Sequence, residues 1–132
     1  ISQFVLAEIK MSTTPLLGNK SYRGGCWAVS SEVSGAVAQA QKTAFEFTSK
    51  TFEHSIKDDE GKSLGQSVYS IQPKSFLVVG NLRQLEGNED KIKCFELFRR
   101  NIQSPEIITF DELYQRSKAL LENLKANQSN ES

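Results

Sequence analysis

One uninterrupted apolar segment, SFLVVG at residues 75–80, most constrains how this chain can fold. A continuous apolar run of strand length that ends in glycine is typical of a parallel strand covered on both faces. Two further short apolar runs, residues 4–10 and 106–110, are predicted strands as well. The first of these is expected to be buried for most of its length.

Helical patterns follow each of the three predicted strands. Their ranges are residues 31–50, 89–101 and 112–125. Short polar side chains are the preferred N-caps. The candidates are Ser31 and Ser34 for the first helix, Asn88 or the Asn81 region for the second and Asp111 for the third. The alternation of strands and helices predicts an α/β domain with a largely parallel sheet.

Two long segments interrupt this alternation. Residues 11–30 are rich in Ser, Thr, Pro, Gly and Asn. They predict an irregular connection of a length that is usually functional or disordered. Residues 53–73 contain a run of charged side chains and predict an exposed connection, with a short strand near Val68 and Tyr69.

The composition fits one domain and excludes several classes of protein. The 132 residues suit a single core, which we expect over residues 1–126, with a polar tail at 127–132. Sixteen Lys plus Arg balance sixteen Asp plus Glu, which excludes a strongly basic nucleic-acid coat but still permits a local basic patch. No apolar run approaches the ~20 residues of a membrane span.

The two cysteines, Cys26 and Cys94, are far apart and lack the spacing of a disulfide framework or a zinc site. We therefore expect a cytoplasmic protein that does not enter a membrane. Because the sequence begins with Ile1 at the entry to a predicted strand, we also expect it to be part of a longer polypeptide.

Glu8 and Lys10 are the strongest candidates for chemistry. They lie two residues apart at the end of a predicted strand, so both side chains project from one face while Ile9 points to the opposite, apolar face. A carboxylate can bind a divalent cation, and a lysine can stabilise an attacking water or a developing phosphoryl charge. The pattern E-x-K occurs three times, but only this copy ends an apolar strand. The alternative is a Glu–Lys pair that only makes an edge strand soluble.

A strand that ends in E-x-K, followed by a loop and a helix with an internal glutamine, resembles the core of the PD-(D/E)xK nuclease superfamily. More specifically, the chain resembles the C-terminal nuclease domain of the Shedu anti-phage defence family over about residues 4–124. The segments that carry the resemblance are AEIK at 7–10, YR at 22–23, SSEVSGAVAQAQ at 30–41, FLVVG at 76–80 and IITFDEL at 107–113. The resemblance implies a restriction-endonuclease-like fold, with a mixed sheet flanked by helices.

The resemblance also implies a DNA endonuclease that depends on Mg²⁺ or Mn²⁺, acts in anti-phage defence and forms a homo-oligomer. Glu8 would bind the metal, with the Ile9 carbonyl as a second candidate ligand, and Lys10 would orient the nucleophilic water and stabilise charge on the phosphate. Gln39 or Gln41 would face this site from the helix. Both cannot do so, because residues two positions apart on a helix project ~200° apart. Family-like spacing favours Gln39, whereas Gln41 lies nearer the apolar stripe.

The superfamily motif includes one more acidic residue, an Asp on the preceding strand of a hairpin. Only three residues precede Phe4, so this Asp, with the N-terminal part of the core, is expected upstream of Ile1. Without it, the second hypothesis is an inactive or incomplete nuclease-like module that binds DNA or mediates oligomerisation.

Basic residues outside the E-x-K motif are candidates for contacts with DNA phosphates. Arg23, with Lys20 nearby, lies in the predicted loop after the first strand and is the preferred candidate. Arg99 and Arg100 could contact phosphate from the end of the second helix, or could only complement the negative end of its dipole.

Overall fold

Three strands and three α-helices alternate along the described part of the chain. The computed structural model describes residues 4–53 and 73–130. The elements are β1 (Val5–Ile9), α1 (Ser31–Glu53), β2 (Lys74–Val78), a 3₁₀ turn (Leu82–Leu85), α2 (Glu89–Arg100), β3 (Glu106–Ile108) and α3 (Phe110–Asn130). The predicted strand–helix alternation is therefore confirmed. The short strand expected near Val68 and Tyr69 lies outside the described residues.

The three strands form a sheet of order β1-β2-β3 in which both pairings are parallel. Glu8 is in register with Leu77, and Phe76 is in register with Glu106. A helix lies between consecutive strands, so each strand enters the sheet in the same direction. The mixed sheet implied by the resemblance is not seen among the described strands, which form the sheet of a small, parallel α/β domain.

One cluster of buried side chains joins the loop after β1 to α1, α2 and the sheet. Its members are Leu16, Leu17, Val33, Ala36, Val37, Leu77, Val79, Leu85, Phe95 and Ile107. The loop of residues 11–30 is irregular, as predicted, but its Leu16 is completely buried. This loop is therefore part of the core, because its buried leucines pack in the same cluster as residues of α1 and β2.

β1 is less buried than its apolar sequence suggests. It is an edge strand of the described sheet, and its residues alternate between exposed and half-buried. Val5 and Ile9 are 63% and 66% exposed. The expectations that this strand is mostly buried and that Ile9 points into an apolar environment are therefore wrong for the described part of the chain. The opposite face carries Glu8 beside Leu77, because residues in register project from the same face.

Local hydrogen bonds define the N-caps of α1 and α2, and one of these two caps is the predicted residue. α1 is capped by Ser30, whose Oγ accepts the N–H of Val33 at 3.1 Å, and not by Ser31 or Ser34. The Ser30 hydroxyl also donates to the Pro15 carbonyl at 2.6 Å, which ties the cap to the loop. In α2 the predicted Asn88 cap is confirmed.

At the N-terminus of α3 the side chain of Glu112, and not the predicted Asp111 cap, binds the preceding backbone. Glu112 Oε1 accepts hydrogen bonds from the N–H and the hydroxyl of Thr109, at 3.1 and 2.8 Å. Asp111 Oδ1 instead accepts the N–H of Leu82, at 3.1 Å. Asp111 therefore joins the start of α3 to the 3₁₀ turn.

α3 continues to Asn130, beyond the expected end near residue 125. None of its residues is buried, and the leucines predicted as its apolar positions are 39–61% exposed. They are Leu113, Leu120, Leu121 and Leu124. Neither α3 nor another helix in the described ranges combines the length and the apolar character that crossing a membrane requires.

Gly80 follows β2 at a position that only glycine fits. Its φ is +64°, and a Cβ there would lie 2.5 Å from Leu16 Cδ2 and 2.8 Å from the Thr14 carbonyl oxygen. The Gly80 N–H donates to the Met11 carbonyl at 3.1 Å, and the Gly80 carbonyl accepts the Phe110 N–H at 3.0 Å. Gly80 therefore links the end of β2 to the residue directly after Lys10.

Candidate active site

Glu8, Lys10 and Gln39 come together at the carboxyl end of β1, and we call them the β1–α1 cluster. Lys10 Nζ lies 2.9 Å from Glu8 Oε1 and donates to Gln39 Oε1 at 3.2 Å. The Glu8 and Lys10 side chains are 24% and 33% exposed, respectively. The cluster is thus partly shielded from solvent but still open to a ligand.

Local packing brings these three side chains together. The N–H of Lys10 donates to the Val78 carbonyl at 2.9 Å, which holds the end of β1 on the sheet. On α1, Ala36 and Ala40 are 2% and 4% exposed. Small buried side chains allow the helix to lie close to its neighbours, which places Gln39 within hydrogen-bonding distance of Lys10.

Gln41 lies elsewhere on α1. Its Nε2 donates to the Ser104 carbonyl at 2.9 Å. Together with Phe45 and Thr48 it lines an open groove of about 740 Å³ beside the segment between α2 and β3. The sequence did not decide which of the two glutamines faces the Glu8–Lys10 pair. In the structure it is Gln39, which accepts a hydrogen bond from Lys10.

The described residues supply only part of a ligand set for a divalent cation. In proteins, Mg²⁺ is commonly bound by one or two carboxylates together with waters and substrate phosphates. Glu8 provides one carboxylate, and one of its oxygens already contacts Lys10. No group of three or more His, Cys, Asp and Glu side chains suited to a metal occurs within residues 4–53 and 73–130. Binding here therefore needs further oxygens, from the Ile9 carbonyl, water, the substrate or other residues.

The predicted phosphate contacts lie in the loop between β1 and α1. Arg23 forms an isolated antiparallel bridge with Cys26, and its guanidinium lies 5.8 Å from the centre of the Tyr22 ring. Arg23 and Lys20 are both exposed. In the part of the chain that the structure describes, no contact joins either residue to the β1–α1 cluster, so their role in binding phosphate stays a prediction.

Arg99 forms an ion-pair network that sequence analysis missed. Its guanidinium donates to Glu112 Oε1 at 2.6 Å and also pairs with Glu96, and the Arg99 side chain is only 15% exposed. The same guanidinium donates to the Ile107 carbonyl at 3.4 Å, so it joins α2 to β3 and α3. Arg99 is thus committed to protein groups, whereas the neighbouring Arg100 side chain is 76% exposed.

The network changes how Arg99 and Glu112 bind protons. Burial lowers the pKa of Arg99, but hydrogen bonds and charge attraction from Glu112 and Glu96 outweigh it and raise that pKa above its usual value. Burial raises the pKa of Glu112, but hydrogen bonds from Arg99 and Thr109 and the charge of Arg99 hold it below its usual value. Both groups are therefore charged at neutral pH.

Comparison with known proteins agrees with the resemblance seen in the sequence motifs. The profile of a family described as "Shedu protein SduA, C-terminal" matches residues 1–114. The Shedu protein SduA of Bacillus cereus (strain B4264) is 28% identical over 123 residues, which are 92% of this chain and 31% of that protein. The chain thus spans less than a third of the length of this curated relative. Since the matched residues 1–114 include all three strands and the whole β1–α1 cluster, the chain belongs to the family of Shedu SduA C-terminal domains.

Proposed function

We propose that this domain hydrolyses phosphodiester bonds in DNA with the aid of a divalent cation, in the bacterial cytoplasm, as part of defence against phage. The observation that carries the proposal is the contact of Lys10 Nζ with both Glu8 and Gln39, at 2.9 and 3.2 Å. An ammonium held by a carboxylate and an amide oxygen is preorganised to stabilise charge on a phosphate. Membership of the Shedu family supports the defence role.

Each member of the β1–α1 cluster has its own role in this proposal. Lys10 donates to a non-bridging phosphate oxygen, and its charge stabilises the negative charge that develops as water adds to phosphorus. Gln39 accepts a hydrogen bond from the Lys10 ammonium and thereby orients it. Glu8, with the Ile9 carbonyl as a second candidate, would hold Mg²⁺ or Mn²⁺, and such an ion supplies an activated water when bound. An acidic residue upstream of Ile1 would complete the ligand set.

Cleavage of supercoiled plasmid and linear DNA with Mg²⁺, with Mn²⁺ or with EDTA tests this function. We expect nicked or linear products with either metal and none with EDTA. The assay uses the full natural polypeptide, because the chain corresponds to only 31% of the B. cereus relative. Binding of Mn²⁺, measured by calorimetry without DNA, should weaken in Glu8→Gln. Absence of cleavage together with unchanged Mn²⁺ binding in Glu8→Gln would overturn the proposal.

A module that binds DNA without cutting it is the second candidate. Two observations favour it. The single carboxylate of the β1–α1 cluster, that of Glu8, is already paired with Lys10. In the described ranges, no three or more His, Cys, Asp or Glu side chains are grouped so that they could bind a metal ion. This candidate predicts that DNA is retarded in a native gel with metal present while its length and topology stay unchanged.

The two glutamines of α1 provide a matched test of orientation. Gln39→Ala removes one of the two groups that hold the Lys10 ammonium and is expected to lower the cleavage rate about tenfold. Gln41→Ala is the same change on the same helix, but its side chain bonds to Ser104, so the cleavage rate should stay within about twofold of wild type. Initial rates are compared after circular dichroism has shown equal folding. Equal losses in the two variants would instead indicate a general effect on α1.

We propose further that the domain assembles with a second copy of itself through α3. Leu113, Leu120 and Leu124 recur at spacings of seven and four, as in helices that pair in coiled coils, and each is exposed. The same helix carries charges of both signs, including Arg116 and Glu122, which an antiparallel second copy can match.

Sedimentation velocity checks this assembly with a pair of charge-introducing variants. Leu120→Glu is expected to lower the sedimentation coefficient towards that of a smaller species, because it places a carboxylate within the leucine stripe. Ala119→Glu introduces the same charge about 100° around α3 from Leu120, outside the leucine stripe, and is expected to leave the coefficient unchanged. An unchanged coefficient in both variants would show that α3 is not the interface.

A further inference from the structure

The fold brings the two cysteines together although they are far apart in sequence. Cys94 Sγ accepts the N–H of Trp27 at 3.3 Å, and the Cys94 thiol donates to the Gly25 carbonyl at 3.7 Å. Gly25 and Trp27 are the two residues that flank Cys26. The Cys94 sulfur therefore lies directly against the backbone of Cys26.

This position is within the reach of a disulfide. Both peptide groups that contact Cys94 are bonded to the Cα of Cys26, so the Cys94 sulfur lies within about 6 Å of that Cα. A disulfide requires the two Cα atoms to lie ~4.4–6.8 Å apart. Rotation about the side-chain bonds of both cysteines, together with movement of the exposed loop that carries Cys26, would bring the two sulfurs together.

Packing around residues 25–27 keeps the two cysteines next to each other. Trp27 packs against the hydrophobic core, and Lys91 Nζ on α2 lies 4.4 Å from the centre of its ring. Cys26 is exposed and Cys94 is partly buried. An oxidant can therefore reach Cys26 from solvent, with Cys94 behind it as the second thiol.

We propose that Cys26 and Cys94 are a modification site, which a peroxide oxidises to a reversible intramolecular disulfide. The Cys26 sulfur, after loss of its proton, attacks one oxygen of hydrogen peroxide. The O–O bond breaks, Cys26 becomes a sulfenic acid, and the departing hydroxide takes up the proton as water. The Cys94 sulfur then attacks the Cys26 sulfur. The S–O bond breaks, a second water leaves and the S–S bond forms.

In these two steps the two thiols together lose two electrons and two protons, and one hydrogen peroxide takes them up and becomes two waters. A dithiol reductant reverses the oxidation. The disulfide would fasten the loop of residues 11–30 to α2. Its formation does not depend on nuclease activity, and intracellular disulfides of this kind are typically transient and redox-sensing.

Peptide mapping by mass spectrometry tests the proposal on the natural protein. The protein is treated with hydrogen peroxide, free thiols are alkylated, and the protein is digested without reductant. We expect most chains to yield a Cys26–Cys94 linked peptide, lighter by two hydrogen atoms than the two thiol peptides together and absent after treatment with dithiothreitol. The midpoint of thermal unfolding should rise by about 5 °C on oxidation.

Two serine variants separate this pairing from unspecific oxidation. In Cys94→Ser, peroxide should leave Cys26 as a sulfenic acid that dimedone traps, and in Cys26→Ser the thermal midpoint should not respond to peroxide. The proposal is overturned if wild-type protein yields singly oxidised cysteines without the linked peptide, or if Cys26 links only to Cys26 of another molecule.

Discussion

Replacing Lys10 with methionine is expected to lower the rate of DNA cleavage by about 100- to 1,000-fold. Methionine is a long, flexible side chain of similar reach, but it has no charge and cannot donate a hydrogen bond to a phosphate oxygen. The loss should be large because Lys10 is the cation of the β1–α1 cluster and its Nζ is held at 2.9 Å from Glu8 and 3.2 Å from Gln39. Single-turnover cleavage of plasmid DNA with Mg²⁺ measures it.

Lys42→Met is the matched control for this substitution. Lys42 also pairs with a glutamate, since its Nζ lies 3.6 Å from Glu46, but its side chain is 77% exposed. Within the described ranges its ion pair is with Glu46, whereas Glu8 and Gln39 both contact Lys10. We expect its cleavage rate to stay within about twofold of wild type. If Lys10→Met also cuts at the wild-type rate while folding normally, the Glu8–Lys10 pair is structural, and the DNA-binding module becomes the better account.

Glu8 and Lys10 could be predicted from the sequence as neighbouring side chains, because residues two apart on a strand project from the same face whatever the rest of the fold. The choice between Gln39 and Gln41 could not be made in the same way. It depends on how α1 is rotated about its axis, which follows from burial of Ala36 and Ala40 against neighbouring elements. Propensity and spacing alone do not fix that rotation.

The exposure of β1 also depends on more than its own sequence. An apolar strand can be central or at an edge, and Val5 and Ile9 are exposed because no described strand or helix covers their side of β1. The bond at the start of α3 is a different case, because the T-x-x-E signature of Thr109 and Glu112 is present in the sequence and predicts that the Glu112 side chain accepts the N–H of Thr109. The pairing of Arg99 with Glu112 has no such local signature, since the fold alone brings α2 and α3 together.

Arg99→Leu is expected to lower the free energy of unfolding by about 3 kcal/mol at pH 7. The substitution leaves the carboxylates of Glu112 and Glu96, 22% and 25% exposed, without their common cation. It also removes the hydrogen bond from the guanidinium to the Ile107 carbonyl. Urea denaturation with linear extrapolation measures the change. Arg100→Leu is the control, because that side chain is 76% exposed and its 3.5 Å contact with Glu96 should contribute less than about 1 kcal/mol.

The loss in Arg99→Leu should depend on pH in a definite direction. Arg99 and Thr109 hold the pKa of Glu112 below its usual value in the folded protein, against the effect of burial. A carboxyl group with a lowered folded pKa stabilises the fold above its unfolded pKa of ~4.3, and this contribution is lost as the pH falls through the folded pKa. The raised pKa of Arg99 keeps it charged throughout, so Arg99 adds no pH dependence of its own. The stability difference between wild type and Arg99→Leu should therefore shrink below about pH 4. A difference that stays constant down to pH 3 would attribute the loss to packing of the arginine side chain and not to its ion pairs.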